Sequence, residues 1–220
     1  MLRLNHNYHE LSPIERIEYW LRIRRGLTVQ DRFFFEGHRP LPGQIYLAER
    51  RALYAAVLSR RPKYCFEVGT ASGGGSTFFI AAAFRELGSG QLISLESDAS
   101  LHLTAARRYR QDLAYLRPYV QLLHGESPES FLPYIEAHES VAECIFLDGS
   151  DTPEEAASQY QFFLPYVRPG TILMAHDWGD VKMSILRPLV ERDESWLLRT
   201  RLSWPESVGF VVYVQEGAPR

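Results

Sequence analysis

The stretch that decides the fold of this chain is Glu67-Val-Gly-Thr-Ala-Ser-Gly-Gly-Gly-Ser-Thr77. The apolar run Tyr64-Cys-Phe66 precedes it, and the helix-forming run Phe78-Phe-Ile-Ala-Ala-Ala-Phe84 follows it. A strand, a glycine-rich turn and a helix in this order are typical of a nucleotide-type cofactor site in an α/β protein. Glycines let the backbone approach a ligand closely, and the helix start offers free N–H groups to an anionic group. An acid at Glu67 would repel a pyrophosphate, so the stretch predicts a ligand that carries positive charge.

The composition is that of one globular domain. Of the 220 residues, 45% are hydrophobic and 23% are charged, and the formal net charge is −3. This balance predicts no nucleic-acid partner and no anionic membrane surface. No stretch is long enough to span a bilayer, and the first residues lack the apolar core of a signal peptide, so a cytoplasmic location is expected. Cys65 and Cys144 lie in apolar runs and are predicted to be buried, reduced thiols.

Short apolar runs and helix signals alternate after residue 60. The parallel strands predicted from these runs cover residues 64–68, 91–96, 119–123, 143–148 and 171–176. Two further strands, 196–202 and 208–214, are separated by a gap too short for a helical crossover, so they are predicted to form an antiparallel hairpin. The predicted fold class is α/β: a Rossmann-like seven-stranded sheet of five parallel strands plus the C-terminal hairpin, with helices on both faces.

Residues 1–60 are predicted to form an N-terminal helical cap in the same domain as a cofactor-binding core of residues 61–220. Ser12-Pro-Ile-Glu15 is a capping box that opens one helix, and a second helix is predicted over residues 44–60. The loop between them contains Phe33-Phe-Phe35, which forms either the core of the cap or an apolar lid over a substrate. Apolar surface on this cap could be covered by a second copy of the chain, so a homodimer is a further expectation.

Five motifs follow one another at the ends of the predicted strands. They are Glu67 with Gly69 and Gly73, Glu96, Gly125-Glu126-Ser127, Asp148, and Pro169-Gly170 with Ala175-His176-Asp177. In this order they resemble the class I S-adenosylmethionine (SAM)-dependent methyltransferases over about residues 44–214. Within that class the chain is similar to the small O-methyltransferases of the catechol and caffeoyl-CoA type and to the bacterial branch that includes the cephalosporin-cluster protein.

The resemblance implies a SAM site at these strand ends. Glu67 would supply negative charge near the cationic part of SAM, and Glu96 would accept hydrogen bonds from the ribose hydroxyls, unless it is simply a solvated strand-end acid. Glu126 and Ser127 would meet the adenine, although Ser127 could equally cap a helix. The implied cofactor-binding residues are Glu67, Gly69, Thr70, Ala71, Gly73, Ser76, Glu96, Ser97, Gly125, Glu126, Ser127 and Asp148. The turn has one glycine more than the usual pattern.

The resemblance also implies catalytic residues and leaves a metal open. Asp148, His176 and Asp177 match the metal positions of the divalent-cation-dependent O-methyltransferases, and a nitrogen ligand favours manganese, iron or zinc over magnesium. The alternative is that these side chains bond one another without a metal, which leaves His176 as the candidate general base beside Asp148 and Asp151. The family's lysine base would fall at Asp151, and no lysine follows until Lys182, so that role is not transferred.

The function predicted from these residues is SAM-dependent transfer of a methyl group to an oxygen of a small molecule by direct SN2 displacement. One alternative is an NAD(P)-dependent oxidoreductase, since Gly69-x-Ala71-x-x-Gly74 can be aligned with the dinucleotide fingerprint. Glu67 and the terminal hairpin count against it. The other alternative is a methyltransferase-fold protein that transfers no methyl group, because a fold does not guarantee an activity.

Overall fold

A seven-stranded sheet organises the part of the chain that the computed structural model describes, residues 45–204 and 207–217. Its spatial order is β3-β2-β1-β4-β5-β7-β6. The first five strands pair in parallel, and β7 pairs antiparallel with both β5 and β6. This arrangement confirms the predicted fold class. The strands are β1 (Tyr64–Val68), β2 (Gln91–Glu96), β3 (Val120–His124), β4 (Cys144–Leu147), β5 (Ile172–His176), β6 (Trp196–Leu202) and β7 (Phe210–Gln215).

Helices connect the parallel strands, and their starts carry the expected capping residues. The Asp98 carboxylate accepts hydrogen bonds from the amides of Ser100 and Leu101. Thr152 forms a capping box with Glu155. The α-helices are α1 (Leu47–Arg60), α2 (Ser76–Leu87), α3 (Ala99–Gln111), α4 (Leu132–Ala137), α5 (Pro153–Phe163) and α6 (Leu186–Glu191). Short 3₁₀ helices cover Ala114–Tyr119, Pro128–Phe131, Leu164–Tyr166 and Val181–Met183.

Two apolar cores cover the two faces of the sheet. Because successive side chains of a strand point to opposite faces, Cys65 lies in one core and Phe66 in the other. The core with Cys65 contains Leu53 of α1 and Phe84 of α2, and the core with Phe66 contains Phe163 of α5. The first described helix therefore packs on the sheet as part of the same body, and helices cover both faces as predicted.

The boundaries of several elements differ from the prediction for local reasons. Strand β3 starts at Val120, not at residue 119, because Tyr119 ends a 3₁₀ helix. Strand β4 stops at Leu147, which leaves Asp148 at the strand tip. Strand β7 begins at Phe210, after Gly209 with its φ of +123°. The predicted helix that opens at residue 12 and the loop with the three phenylalanines lie outside the described residues.

The two cysteines face each other in the centre of the sheet. Cys65 on β1 is the register partner of Cys144 on β4, and both are free and fully buried. Their sulfur atoms lie 2.8 Å apart, and burial raises the pKa of the Cys65 thiol. This confirms the prediction that both thiols are buried. Among the described helices, none combines the length and the apolar character that crossing a membrane requires.

Candidate active site

A cleft of about 620 Å³ opens at the carboxyl ends of the parallel strands. It lies where the strand order reverses, since β1 continues through β2 to β3 on one side and meets β4 on the other. Ligands of open α/β sheets bind at such a reversal point. The wall is formed by the turn after β1, the tip of β2, the loop after β3, the turn after β4 and the loop after β5. The cleft is therefore where the predicted strand-end motifs come together.

Two glycines bring the backbones of neighbouring turns into contact at this cleft. Gly69 has a φ of +100°, and a β-carbon there would lie 2.8 Å from Cα of Gly149. A β-carbon on Gly149 would lie 2.8 Å from the amide nitrogen of Gly69. Distances this short to backbone atoms leave no room for a side chain. The turn after β1 and the turn after β4 can thus pack directly on each other only as long as both positions are glycine.

Glu96 links the tip of β2 to the glycine-rich turn. Its Oε2 accepts a hydrogen bond of 2.6 Å from the amide of Ala71, and its Oε1 accepts one of 2.9 Å from the amide of Asp98. The side chain is 7% exposed and lies on the cleft wall. Each carboxylate oxygen can accept a further hydrogen bond. Glu96 is therefore held rigidly at a position from which it can bind hydroxyl groups of a ligand.

Glu67 lies behind the turn rather than on the cleft wall. Its carboxyl group is fully buried and accepts hydrogen bonds from the hydroxyls of Ser76, Thr77 and Ser94. Burial raises the pKa of Glu67 to about 7, and the three hydroxyls act in the opposite direction. The arrangement ties the end of β1 to the first turn of α2. Any electrostatic effect of Glu67 on a ligand would act through the turn.

Most of the predicted cofactor-binding residues line the cleft. Those on the wall are Gly69, Thr70, Ala71, Ser76, Glu96, Ser97, Gly125, Glu126 and Asp148. Glu67, Gly73 and Ser127 are not on it, and Ser127 holds the N-cap position of the Pro128–Phe131 helix without a side-chain hydrogen bond to it. Ile45 and Gln159 also line the cleft and were missed, because they come from segments before α1 and within α5 that carry no local motif.

His176 lies at the centre of a cluster of carboxylates. Its Nδ1 is 3.1 Å from Oδ1 of Asp148 and 3.1 Å from Oδ1 of Asp177. Its Nε2 is 3.2 Å from Oε2 of Glu49, within ion-pair range although the geometry is not that of a well-aligned hydrogen bond. Burial disfavours the imidazolium, but the three carboxylates outweigh burial and raise the pKa of His176 well above its usual value. His176 is buried and is not on the cleft wall, and carboxylates face both of its ring nitrogens, which counts against the predicted general-base role.

Glu49 reaches this cluster from α1, a contact that was not predicted. It lies in the first turn of an arginine-rich helix, where a glutamate is normally solvated, yet it is fully buried. It accepts a hydrogen bond of 2.6 Å from the amide of Tyr46 and another from the hydroxyl of Ser207. An acid three residues after a helix N-cap was the only available signal, and it does not indicate a site.

Lys182 also lies at this edge, although it is distant in sequence from the fourth strand. Its Nζ is 2.7 Å from Oδ2 of Asp177 and 3.7 Å from Oδ1 of Asp148, and the side chain lines the cleft. Burial disfavours its charge, but the two aspartates outweigh burial and raise the pKa of Lys182. Burial would raise the pKa of Asp177, yet His176 and Lys182 lower it to about 2. Asp151 is on the cleft wall as well.

The predicted metal ligands come together, but they do not fit a metal in this arrangement. One donor atom from each of Asp148, His176 and Asp177 lies within 4.8 Å of the others. However, His176 faces both aspartates, and the Lys182 ammonium contacts the same two carboxylates. A metal could reach these carboxylate oxygens only by displacing the ammonium. We therefore derive no step of the chemistry through a metal.

A protein-family model described as "Methyltransferase domain" matches residues 66–178, just over half of the chain. The chain therefore belongs to this methyltransferase family. The match runs from β1 through the loop after β5 and so includes the strand tips that form the cleft. A comparison with curated proteins found no match.

Three solved structures with a similar fold are described as O-methyltransferases, one of them as a putative one. The O-methyltransferase from Bacillus cereus, in complex with S-adenosylhomocysteine (SAH), has a TM-score of 0.67 and 20% identity, over 91% of this chain and 100% of that one. A putative O-methyltransferase from Klebsiella pneumoniae has a TM-score of 0.61 and 24% identity, over 92% and 97%. The O-methyltransferase TomG from Streptomyces achromogenes, in complex with SAM, has a TM-score of 0.62 and 17% identity, over 84% and 86%.

Proposed function

We propose that this chain is a SAM-dependent methyltransferase that transfers a methyl group to an oxygen of a small molecule in the cytoplasm. The observation that carries the proposal is Glu96, which two backbone amides hold on the wall of the cleft at the reversal point of a methyltransferase-family sheet. Structures of similar fold that were solved with SAM or SAH support the same cofactor. The two buried free thiols are consistent with a reducing compartment.

The cleft suits the charges of SAM. SAM has a sulfonium and an ammonium group but only one carboxylate, and the described wall has an excess of acids over its one basic residue, Lys182. The acids on the wall are Glu96, Asp98, Glu126, Asp148, Asp151 and Asp177. Gly75, at the start of α2, offers the positive end of a helix to the carboxylate. A dinucleotide would instead bring a pyrophosphate to these acids, which disfavours the oxidoreductase alternative.

Methyl transfer requires the protein mainly to position the acceptor hydroxyl and to remove its proton. When bound, SAM supplies a methyl group on a positively charged sulfur, so that an oxygen–carbon bond forms while the sulfur–carbon bond breaks and its electron pair returns to sulfur. The chain has to exclude water and hold the acceptor hydroxyl in line. Asp148 and Asp151 are carboxylates on the wall that can take the hydroxyl proton, whereas His176 is not on the wall.

Calorimetric titration with SAH, NADH and NADPH tests the cofactor. We expect SAH to bind and the nicotinamides not to bind. Glu96→Ala should weaken SAH binding by about tenfold or more, since hydrogen bonds to a charged group contribute about 1.5–3 kcal/mol. The exposed Glu136→Gln on α4 is the matched control and should leave the affinity unchanged. Binding of NADH or NADPH without SAH would reject the proposal.

Transfer itself is tested with SAM labelled at the methyl group and a panel of phenols, diols and sugars. Labelled methyl in an ether product supports O-methyl transfer. Tight SAH binding with no transfer to any acceptor would instead favour a methyltransferase-fold protein that only binds the cofactor. A homodimer stays a prediction, and the mass of the protein in solution tests it.

A further inference from the structure

We propose that Lys182 is a built-in cation that takes the place of a divalent metal at the Asp148–Asp177 pair. The proposed role in methyl transfer rests on the proposed function, but the competition between Lys182 and a metal does not. The geometry assigns this role because the Lys182 ammonium contacts both carboxylates that a metal would need, at 2.7 Å from Asp177 and 3.7 Å from Asp148.

The local backbone directs Lys182 into this position. It is the middle residue of the short Val181–Met183 helix, and its amide donates a hydrogen bond of 3.0 Å to Oδ1 of the N-cap residue Asp180. Its side chain is 17% exposed and reaches back over the tips of β4 and β5. Asp177, the partner at 2.7 Å, is itself held at a φ of +55°. The carboxylate and the lysine are therefore both fixed by the loop that follows β5.

The Asp148–Asp177 pair already faces a cation. The Lys182 ammonium lies within ion-pair distance of both carboxylates. A divalent ion would have to displace this ammonium before it could reach the same carboxylate oxygens. Its binding would cost the ion pairs that are already present.

Lysine is a rare residue type in this chain. Only two of its 24 lysines and arginines are lysines, and the other, Lys63, is exposed next to β1. A lysine ammonium is a compact charge with three N–H donors, whereas an arginine is planar and binds carboxylates through a fork. The ion pairs with Asp177 and Asp148 engage at most two of these donors. Since Lys182 lines the cleft, the third can donate to an acceptor oxygen as that oxygen loses its proton.

The decisive experiment measures Mn²⁺ binding by the loss of the electron paramagnetic resonance signal of free Mn²⁺. We expect wild type and the control Lys63→Ala to bind no Mn²⁺. Lys182→Ala should gain one site, because the carboxylate pair is then open, and the double variant Lys182→Ala/Asp148→Asn should lose it again. Lys182→Met, which keeps most of the side-chain volume, is the second variant if Lys182→Ala does not fold.

Two results would overturn the proposal. One is Mn²⁺ binding by wild type that Asp148→Asn abolishes. The other is the absence of a Mn²⁺ site in folded variants that lack Lys182, because Lys182 would then not be filling a cation site. Neither result depends on SAM, so a failure of the proposed function, seen as missing SAH binding, is separable from a failure of this inference.

Activity provides an independent readout. Methyl transfer by wild type should be unchanged by EDTA. Lys182→Met should lower kcat by about 10²–10³-fold, as expected for removal of one preorganised donor to a developing negative charge, with little change in KM for SAM. Lys63→Met should match wild type. Loss of wild-type activity in EDTA that Mn²⁺ restores would contradict the built-in cation.

Discussion

Oε2 of Glu49 lies 3.2 Å from Nε2 of His176, so that the first described helix contributes a buried carboxylate to the edge of the sheet where the cleft opens. The same imidazole faces Asp148 and Asp177 through its other nitrogen. The raised pKa of His176 therefore depends in part on a residue that lies far from the strand-end motifs in the sequence.

Glu49→Gln should lower the pKa of His176 and destabilise the protein. The variant removes one of three negative charges around the imidazolium but keeps an acceptor oxygen for the amide of Tyr46. We expect a decrease of about 1–3 kcal/mol in the free energy of unfolding, the usual cost when a buried polar group loses a charged partner. Urea unfolding measures the stability, and NMR titration of the imidazole measures the pKa. Glu136→Gln, an exposed control, should change neither, and an unchanged His176 pKa in Glu49→Gln would contradict the ion pair.

Glu67 should make the stability fall as the pH rises from about 4.5 to about 7. Its pKa is raised from 4.5 to about 7 in the folded protein. A carboxyl with a higher pKa in the folded state contributes its stability below the unfolded pKa and loses it as the pH passes the folded pKa. The contribution is about 3 kcal/mol at most. Glu67→Gln should remove this part of the pH dependence of the free energy of unfolding.

The pH test compares urea unfolding of wild type and Glu67→Gln at several pH values. Groups that act in the opposite direction, such as Asp177, are present in both proteins, so the difference between the curves reports on Glu67 alone. Glu136→Gln should reproduce the wild-type curve. Parallel curves for wild type and Glu67→Gln would show that Glu67 has the same pKa in both states.

Gly149→Ala should destabilise the protein and weaken SAH binding, because its β-carbon would lie within 2.9 Å of backbone atoms of Gly69 and Val68. The expected cost is about 1–3 kcal/mol, typical of an overpacked position. Gly88→Ala is an informative contrast: nothing lies within 4 Å of its β-carbon, but its φ is +68°. Gly88→Ala should cost about 1 kcal/mol from backbone strain alone and leave SAH affinity unchanged. Equal SAH affinities for both variants would argue against the close contact of the two turns.

Ala71→Gly should leave the stability unchanged or raise it by up to about 1 kcal/mol. Ala71 has a φ of +47°, a region that glycine adopts without steric strain. Its amide still donates to Glu96 in the variant, so SAH affinity should be retained. Ala71→Val is the matched comparison, since a β-branched residue is strongly disfavoured at positive φ, and it should be the less stable of the two. Thermal unfolding with and without SAH measures both effects, and a more stable Ala71→Val would contradict this backbone conformation.

The sheet was predictable because each of its strands has a recognisable local sequence pattern. Strands β1 and β2 have the predicted bounds, since their apolar runs end at a polar turn, and the short gap before β7 was enough to identify the hairpin. The cleft was predictable for the same reason: parallel strands present their carboxyl ends at one edge, so Glu96 and Asp148 had to approach each other.

The composition of the charge cluster was not predictable in the same way. Glu49 and Lys182 carry no local signal, and only tertiary packing brings α1 and the loop after β5 to the tips of β4 and β5. The orientation of the Glu67 side chain could not be predicted either, because its carboxyl group accepts hydrogen bonds from three hydroxyls in two different elements. The pKa of His176 depends on Glu49 as well as on Asp148 and Asp177, so a general-base role inferred from its ordinary pKa did not account for Glu49.

The hydrogen bond between Glu49 and Ser207 joins residues 158 positions apart. Ser207 lies between the two strands of the β6–β7 hairpin, which a ribosome makes after α1 and after the five parallel strands. During synthesis the parallel strands can therefore form before Ser207 is present to hold Glu49 next to His176. Contacts between such distant segments slow folding, since a long loop must close before they form. The chemistry of this edge is completed only when the β6–β7 hairpin docks, so a chain truncated before this hairpin would carry the cofactor motifs without a finished site.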